Sequence, residues 1–342
     1  MRKFTNINGI EGLLDLLPQN TTIITYEELS ETILNGTSPD YVISPLNMDE
    51  LYFFYNTSLK SEYPVYPLTD SNLNSKFIRN LLFTPYTPIT IYIPQICLES
   101  KKTYDFQSYF TERNVERIII KDEYGFHSGE NLEYRILPVD KLNEQLPEIM
   151  KQASRIDDVG GIIIEAFEAG KDNQIFKSHI FGGLIPNEIL RYDVKLSGLE
   201  GIFKSHKSQT PQLLESVETS LGSIPENIIE FLNPKLERYM PYTFGSIDFL
   251  ISDDIPKIID VNSKAGSLGQ IQEMLQNNSH NPFKFFLDRI NEYDKSQWQK
   301  QEKYLSKLRE LSKWRAMIEN PIGCDTDKLI NLENFEQVKF NW

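Results

Sequence analysis

Two acidic side chains and one amide side chain within one predicted hairpin are the strongest candidates for chemistry in this sequence. Asp248 lies in a β-prone run, 244–252, and Asp260 and Asn262 lie near the end of the next run, 255–262. A short polar connection between the runs indicates antiparallel pairing, which brings Asp248 close to the other two residues. Asp260 and Asn262 are two residues apart and therefore project from the same face of their strand. Three oxygen-bearing side chains suit Mg²⁺, and carboxylates at a solvated turn are the alternative interpretation.

A lysine at the exit of an apolar strand is a candidate phosphate-binding group. The run Ile118-Ile119-Ile120 ends in Lys121, and two glycines and a histidine occur in the following residues, 122–129. A cation beside a glycine-containing loop can contact a phosphate, with backbone N–H groups as additional donors. The alternative is a lysine whose charged end extends from the strand into solvent.

A third segment, residues 163–168, also leaves an apolar strand and enters a polar connection. It contains Glu165, Phe167 and Glu168. Such a segment can offer backbone groups to the edge of a purine and a carboxylate to a ribose. By itself it is equally typical of an edge strand and its loop. Lys177, which alternates outward from the β-prone run 175–181, could likewise contact either a phosphate or solvent.

Length and composition limit the classes of protein to which the chain can belong. The 342 residues suffice for about two domains, and 40% hydrophobic with 12% aromatic residues predicts a folded core. The net charge of −14 argues against general nucleic-acid binding, although a local basic pocket could still bind a nucleotide. We see no secretory signal and no apolar run long enough for a membrane, and the two cysteines lie far apart. A cytoplasmic location is therefore expected.

The predicted elements are those of an α+β protein. The first 90 residues alternate short strands with helices, which favours a small parallel α/β layer. The second half of the chain favours antiparallel strands. Strands are expected at residues 89–96, 115–121, 161–165 and 175–181 and in the two hairpin runs. Helices are expected at residues 71–82, 140–155, 211–221, 226–232, 270–277 and 282–319; Ser71 or Asn72 would cap the first, and Thr210 with Pro211 would open the third.

In this order and spacing, these motifs resemble the ATP-grasp superfamily. The resemblance covers about residues 70–275 and is closest to carboxylate–amine ligases, such as ribosomal-protein glutamate ligases and peptide-modifying ligases. It rests on Lys121 with its glycine loop, the segment 165–168, Asp172, Arg191, and the pattern Gly245-x-x-Asp248 with Asp260-x-Asn262-x-x-x-Gly266. Lys76 resembles the weaker upstream lysine of the family.

The resemblance implies an α+β ATP-grasp fold in four parts. Residues 1–90 would form an N-terminal α/β domain and residues 91–164 a central small subdomain. Residues 165–281 would form a C-terminal antiparallel-sheet subdomain with the metal site, and residues 282–342 a helical tail. The apolar stripe of the tail could pack on the core or join two copies of the chain as a homo-oligomer.

The resemblance also implies a role for each site residue. The implied nucleotide contacts are Lys121 and Lys76 at the phosphates of ATP, Glu165 and Phe167 at the adenine, and Glu168 or Asp172 at the ribose. Asp248, Asp260 and Asn262 would hold Mg²⁺, as one or two ions, against the phosphates. Arg191 would steady the transferred phosphoryl group, so that Arg191 and Lys121 would be the catalytic residues.

The function implied by the resemblance is an ATP- and Mg²⁺-dependent ligase that joins a carboxylate to an amine through an acyl-phosphate, acting on a peptide or amino acid. Two alternatives remain: a kinase similar to inositol polyphosphate kinases, and a nucleotide-binding regulatory protein without turnover. Four departures from the family pattern favour the last of these. No proline follows Lys121, Asp260 stands where glutamate is commoner, Ala265 stands where proline is frequent, and Gln174 stands where many relatives carry arginine.

Overall fold

The computed structural model describes a central part of the chain. The described residues are 75–262, except 84–85, 100–104, 125–131, 157–159, 169–173, 182, 186–187, 199, 205–213, 240–243 and 253–254, together with residues 31, 35, 42–43 and 65–66. Most of the predicted N-terminal domain, the helix at 270–277, the tail 282–342 and Asp172 lie outside this part. The predicted division into four regions therefore stays a prediction.

The described chain consists mainly of strands, with four α-helices. The strands are β1 (Val42–Ile43), β2 (Val65–Tyr66), β3 (Thr90–Pro94), β4 (Arg117–Asp122), β5 (Tyr134–Pro138), β6 (Gly161–Ala166), β7 (Gln174–Phe181), β8 (Glu188–Leu196), β9 (Gly201–Lys204), β10 (Leu214–Ser223), β11 (Phe244–Ser252) and β12 (Ile255–Asn262). The helices are α1 (Lys76–Phe83), α2 (Gln107–Thr111), α3 (Leu142–Ala153) and α4 (Glu226–Tyr239). Short 3₁₀ turns occupy Gln95–Cys97 and Val139–Lys141. None of the described helices has the length and apolar character required to cross a lipid bilayer.

The strands form two five-stranded antiparallel sheets and one short parallel pair. The first sheet has the order β3-β6-β4-β5-β9 and the second the order β10-β8-β7-β11-β12. β1 and β2 pair in parallel, as the alternating pattern of the first 90 residues predicts. The antiparallel pairing predicted for the second half of the chain is confirmed for its described strands, which lie between residues 174 and 262.

The first sheet is buried on both faces, which explains why its central strands are apolar runs without polar alternation. Ile118 and Ile120 of β4 belong to the hydrophobic core beneath α3, where Ile149 also packs. Ile119, on the opposite face of β4, packs instead with Tyr134 and Ile136. Because side chains alternate along a strand, Lys121 projects on the same side as Ile119, away from that core.

The predicted helix at 211–221 is wrong. The structure has a strand there, β10, which pairs with β8 from Leu214 to Ser223. The segment mixes helix formers with β-branched residues such as Val217 and Thr219, so its local preference is weak and pairing with β8 decides the outcome. The sequence analysis also missed the strands β2, β5, β8 and β9 and the helix α2.

Two helices begin or end elsewhere than predicted. α1 begins at Lys76 rather than near residue 71, and the Ser75 hydroxyl caps it by accepting from the Ile78 N–H at 3.2 Å. α4 continues through Pro234 to Tyr239 instead of ending at residue 232. Buried Leu232 and Leu236 lie four residues apart on one face, and their packing offsets the cost of the proline.

A close approach at Gly161, the first residue of β6, provides a test of the packing between β3 and β6. A Cβ atom added there would lie 2.6 Å from the Ile93 carbonyl oxygen and 2.6 Å from the Tyr92 ring. Gly161→Ala should therefore lower the free energy of unfolding by about 2 kcal/mol. Urea denaturation would measure this, with Gly222→Ala as the control, because a Cβ there would meet only Arg191 Cβ at 3.9 Å. Equal stabilities of the two variants would contradict the expected clash.

Candidate functional site

A cavity of about 180 Å³ lies between the two sheets. The first sheet contributes residues of β4, β5, β6 and β9 to its wall, and the second sheet contributes residues of β7, β8, β11 and β12. One part of the wall is apolar and includes Phe167, Leu196 and Phe203, which pack together beside Ile119. The apolar part is suited to a flat, uncharged group such as a nucleobase.

The other part of the wall carries charged side chains of both signs. The charged residues that line it are Lys76, Lys121, Glu165, Glu168, Asp248 and Asp260. Cations therefore enter from the first sheet and α1, whereas the aspartates enter from the second sheet. A wall that contains both apolar and cationic side chains matches a ligand with an apolar ring and an anionic tail.

Lys121 is held by a buried carboxylate rather than extending into solvent. Its Nζ donates to Glu165 Oε2 at 2.6 Å, and the whole residue is only 8% exposed. The second carboxylate oxygen, Oε1, accepts from Arg79 Nη2. Arg79 also donates to the Ile259 carbonyl oxygen and, at 2.6 Å, to Asn80 Oδ1. Glu165 thus lies between two cations, and its predicted contact with adenine stays a prediction.

Burial and the neighbouring charges shift the pKa values of both Glu165 and Lys121. Burial by itself would raise the pKa of Glu165, but the charges of Arg79 and Lys121 outweigh it and lower the pKa to about 2. Burial lowers the pKa of Lys121, and Arg79 lowers it further, while Glu165 opposes both. Lys121 is therefore a cation whose charge is only partly compensated.

The depressed pKa of Glu165 should be visible in acid unfolding. The folded pKa is about 2 against an ordinary 4.5, so the ionised carboxylate stabilises the fold above about pH 4.5. This contribution, about 3 kcal/mol, is lost as the pH falls from 4.5 towards 2. Urea midpoints should show Glu165→Gln less stable than the wild type at pH 7, with the difference shrinking as the pH falls. Glu148→Gln, at an exposed surface pair with Lys151, is the control. A constant difference across this range would contradict the assigned pKa.

Lys76 reaches the cavity from the start of α1. Its Nζ lies 3.7 Å from Asp122 Oδ1 and 5.6 Å from the centre of the Tyr134 ring. The Tyr134 hydroxyl donates to Asp122 Oδ1 at 3.2 Å. The Ser75 hydroxyl donates to Glu123 Oε1 at 2.5 Å, which anchors the start of α1 at the exit of β4. The two predicted phosphate-binding lysines are thus brought to the same cavity.

β11 and β12 form the predicted antiparallel hairpin, with a shift of register between Asp248 and Phe249. Asp248 pairs with Asp260, and Ser246 pairs with Asn262, so the three predicted metal ligands share one face. Asn262 Nδ2 donates to Ser246 Oγ at 3.5 Å, which leaves the amide oxygen as the group that would bind a metal. Among the described residues no group of three or more His, Cys, Asp and Glu is placed to hold a metal, and the predicted set contains two such residues with an amide.

The chemistry of this set fits Mg²⁺. Burial raises the pKa of Asp248 to about 6, with Lys177 opposing and Asp260 adding to the increase. A buried carboxyl group beside a second carboxylate favours a divalent cation, because the cation removes the repulsion between them. Lys177 Nζ lies 3.3 Å from Asp248 Oδ1, on the strand next to β11. Lys177 therefore contacts a predicted metal ligand, and its contact with phosphate stays a prediction.

The remaining predicted site residues differ in placement. Phe167 and Glu168 line the cavity as expected, whereas Asp172 lies outside the described residues. The structure does not bring Arg191 to the cavity. Arg191 pairs with Phe176, whose ring stacks on Phe249, so all three lie on the face of the second sheet opposite Asp248. The Arg191 side chain instead contacts Asp193 at 3.3 Å.

Three residues of the site were missed by the sequence analysis: Arg79, Tyr134 and Phe203. Arg79 follows Lys76 by three residues on α1, so helical periodicity could have placed both cations on the same face. Tyr134 and Phe203 lie on β5 and β9, two strands that were not predicted, and no local signal identified them.

Comparisons with known proteins identify the fold. No protein-family model matches the sequence, and no curated protein matches it. The structure is similar to D-alanine–D-alanine ligase from Bacillus anthracis, with a TM-score of 0.55 and 16% identity over 85% of this chain and 92% of that chain. The ATP complex of that enzyme matches with a TM-score of 0.51, again at 16% identity, over 85% of this chain and 91% of that one. The chain therefore has the ATP-grasp fold.

Proposed function

We propose that this protein is an ATP- and Mg²⁺-dependent ligase that joins a carboxylate to an amine. One observation carries the proposal: the cavity between the two sheets is lined by two lysines and two aspartates as well as by apolar side chains. Phosphoryl transfer requires mainly positioning and neutralisation of charge, and this set of groups supplies both. The ATP-grasp fold, shared with a ligase that has been solved with ATP, supports the proposal.

The proposed reaction has two steps. A carboxylate oxygen of the substrate attacks the γ-phosphorus of ATP, so that a bond to the acyl oxygen forms and the bond to the β–γ bridging oxygen breaks, releasing ADP. The nitrogen of an amine then attacks the acyl carbon, phosphate leaves, and the nitrogen loses a proton. Because the activated intermediate lies on the substrate, the protein needs no nucleophilic side chain of its own.

Five described polar residues have proposed roles at the phosphates and the metal. Lys121 and Lys76 bind the phosphates, and Asp248, Asp260 and Asn262 hold Mg²⁺, which neutralises phosphate charge when bound. Of the other lining residues, Phe167 packs against the adenine and Glu168 binds the ribose. The geometry supports no role for Arg191 at this cavity.

The acceptor is proposed to be an amino acid or a peptide. The structurally similar enzyme joins two amino acids, as its name states. The kinase alternative is less favoured, because a polyphosphorylated substrate requires many cations, and the described charged residues of the wall include two lysines against four carboxylates. A cytoplasmic location and self-association through the tail stay predictions.

Trapping the intermediate would test the proposal. The protein is incubated with ATP, Mg²⁺ and pools of amino acids or peptides in the presence of hydroxylamine, which converts an acyl-phosphate into a hydroxamate. We expect ADP release that depends on one pool, together with a hydroxamate, or an amide when hydroxylamine is omitted. A phosphorylated product that resists hydroxylamine would indicate the kinase. Tight ATP binding without ADP release across all pools would indicate the regulatory protein.

A further inference from the structure

Three buried residues, two in the wall of the cavity and one behind it, form a continuous set of ion pairs, here called the charge trio: Lys121, Glu165 and Arg79. Arg79 Nη2 donates to one oxygen of the Glu165 carboxylate, and Lys121 Nζ donates to the other at 2.6 Å. Arg79 is 2% exposed and Glu165 is 0% exposed. Both ion pairs are therefore shielded from solvent. Charges interact more strongly in such a buried site than at a surface.

The charges of the trio do not cancel. Two cations share one carboxylate, so the trio has a net charge of +1. Without Arg79, Glu165 and Lys121 would form a neutral pair, and the lysine would present little net charge to an anion in the cavity. Glu165 remains ionised under ordinary conditions because Arg79 and Lys121 hold its pKa at about 2. The compensation of Glu165 therefore depends on the cation behind it.

The position of Arg79 suits this role. Lys121 and Glu165 belong to the described wall of the cavity, whereas Arg79 reaches Glu165 from α1. Its guanidinium group also donates to the Ile259 carbonyl oxygen of β12 and to Asn80 Oδ1. Arg79 thus contacts both sheets that bound the cavity, with a planar group whose several donors are fixed relative to one another.

We propose that Arg79 is a positioning residue that compensates the charge of Glu165 from behind and thereby leaves the charge of Lys121 available to a polyphosphate in the cavity. The proposal rests on the proposed function for the identity of that ligand, ATP. The other charged groups near the trio are Lys76, Asp122, Glu168, Asp248 and Asp260, and they remain the same in every variant described next.

Charge rescue tests the proposal. Calorimetry measures the binding of tripolyphosphate and of ATP, each with Mg²⁺, to the full chain at two salt concentrations. Arg79→Met reduces the charge of the trio to zero and should weaken both ligands about tenfold, more at low salt. The double variant Arg79→Met/Glu165→Gln restores a charge of +1 and should bind within about threefold of the wild type. Arg155→Met, which removes one exposed arginine after α3, is the control for net charge.

The outcomes separate this proposal from the proposed function. If Arg79 acts only through packing, the double variant should bind more weakly than Arg79→Met, and that result would overturn the proposal, as would unchanged binding by Arg79→Met. If the wild-type protein binds tripolyphosphate but does not bind ATP, the proposed nucleotide function is refuted. The tripolyphosphate data would still decide the role of Arg79. A wild-type protein that binds neither ligand would overturn both.

A second pair of variants covers the case in which Arg79→Met does not fold, as judged by circular dichroism. Arg79→Lys keeps the charge of the trio and should bind tripolyphosphate within about threefold of the wild type. Glu165→Gln raises the charge of the trio to +2 and should bind several-fold more tightly at low salt. Weaker binding by both of these folded variants would also overturn the proposal.

Discussion

Replacing Lys121 with methionine should weaken the binding of MgATP by about a hundredfold. The lysine lines the cavity. A contact between a cation and a phosphate oxygen in a shielded site contributes more to binding than a neutral hydrogen bond does. The substitution also leaves Glu165 with one cation fewer, so a carboxylate of increased effective charge faces the ligand. Calorimetry with MgATP measures the loss.

The matched control for this prediction is Lys141→Met. Lys141 is an exposed lysine that also pairs with a glutamate, Glu200, at 2.7 Å, so the variant removes the same charge and a similar ion pair at the surface. We expect it to bind MgATP within about twofold of the wild type. A folded Lys121→Met protein with unchanged affinity would exclude Lys121 from the phosphate site and would remove the main support for a nucleotide in this cavity.

Replacing Asp260 with asparagine should abolish the Mg²⁺ dependence of nucleotide binding and lower the rate of ADP formation by about a thousandfold. Asp260 pairs with Asp248 across the hairpin, and both side chains line the cavity. Asparagine keeps the size of the side chain but removes the charge that a divalent cation requires. Asn262→Ala should also lower the Mg²⁺ dependence of binding and the rate of ADP formation, since the amide oxygen of Asn262 is the third proposed metal ligand.

Asp193→Asn is the control, because Asp193 belongs to the same sheet but lies beside Arg191 on the face opposite the cavity. Titrations of ATP with and without Mg²⁺, followed by an assay of ADP, measure both effects. Unchanged Mg²⁺ dependence in a folded Asp260→Asn protein would show that the two aspartates do not hold the metal. In that case the hairpin would be structural, and the proposed ligase would need another ligand set.

The bounds of β11 and β12 were predicted from the sequence to the residue. Their pairing was not, because the register shifts between Asp248 and Phe249, and this irregularity brings Asp248 opposite Asp260. β4 and β6 were also predicted closely, because residues such as Ile118 and Ile162 make apolar runs whose length suits a buried strand. These are properties of local pattern, and local pattern is what a sequence displays.

Local sequence pattern could not predict the strand at residues 214–223 or the contact of Arg79 with Glu165. β10 forms because β8 supplies a partner strand. No local pattern in the sequence predicted β8 or its pairing with β10. The contact of Arg79 with Glu165 joins residues that are 86 positions apart. Such a contact depends on how α1 packs against two sheets, which no spacing along the chain encodes.

The amino-acid order thus specified the oxygen-bearing side chains of the hairpin, the lysine at the end of β4, and the antiparallel strands that carry them. Folding in three dimensions decided which of the candidates meet: Lys121, Lys76 and the two aspartates enter one cavity, whereas Arg191 lies on the opposite face of its sheet. The physical reason is that periodicity determines which residues share a face of an element. Only the packing of distant elements determines what that face meets.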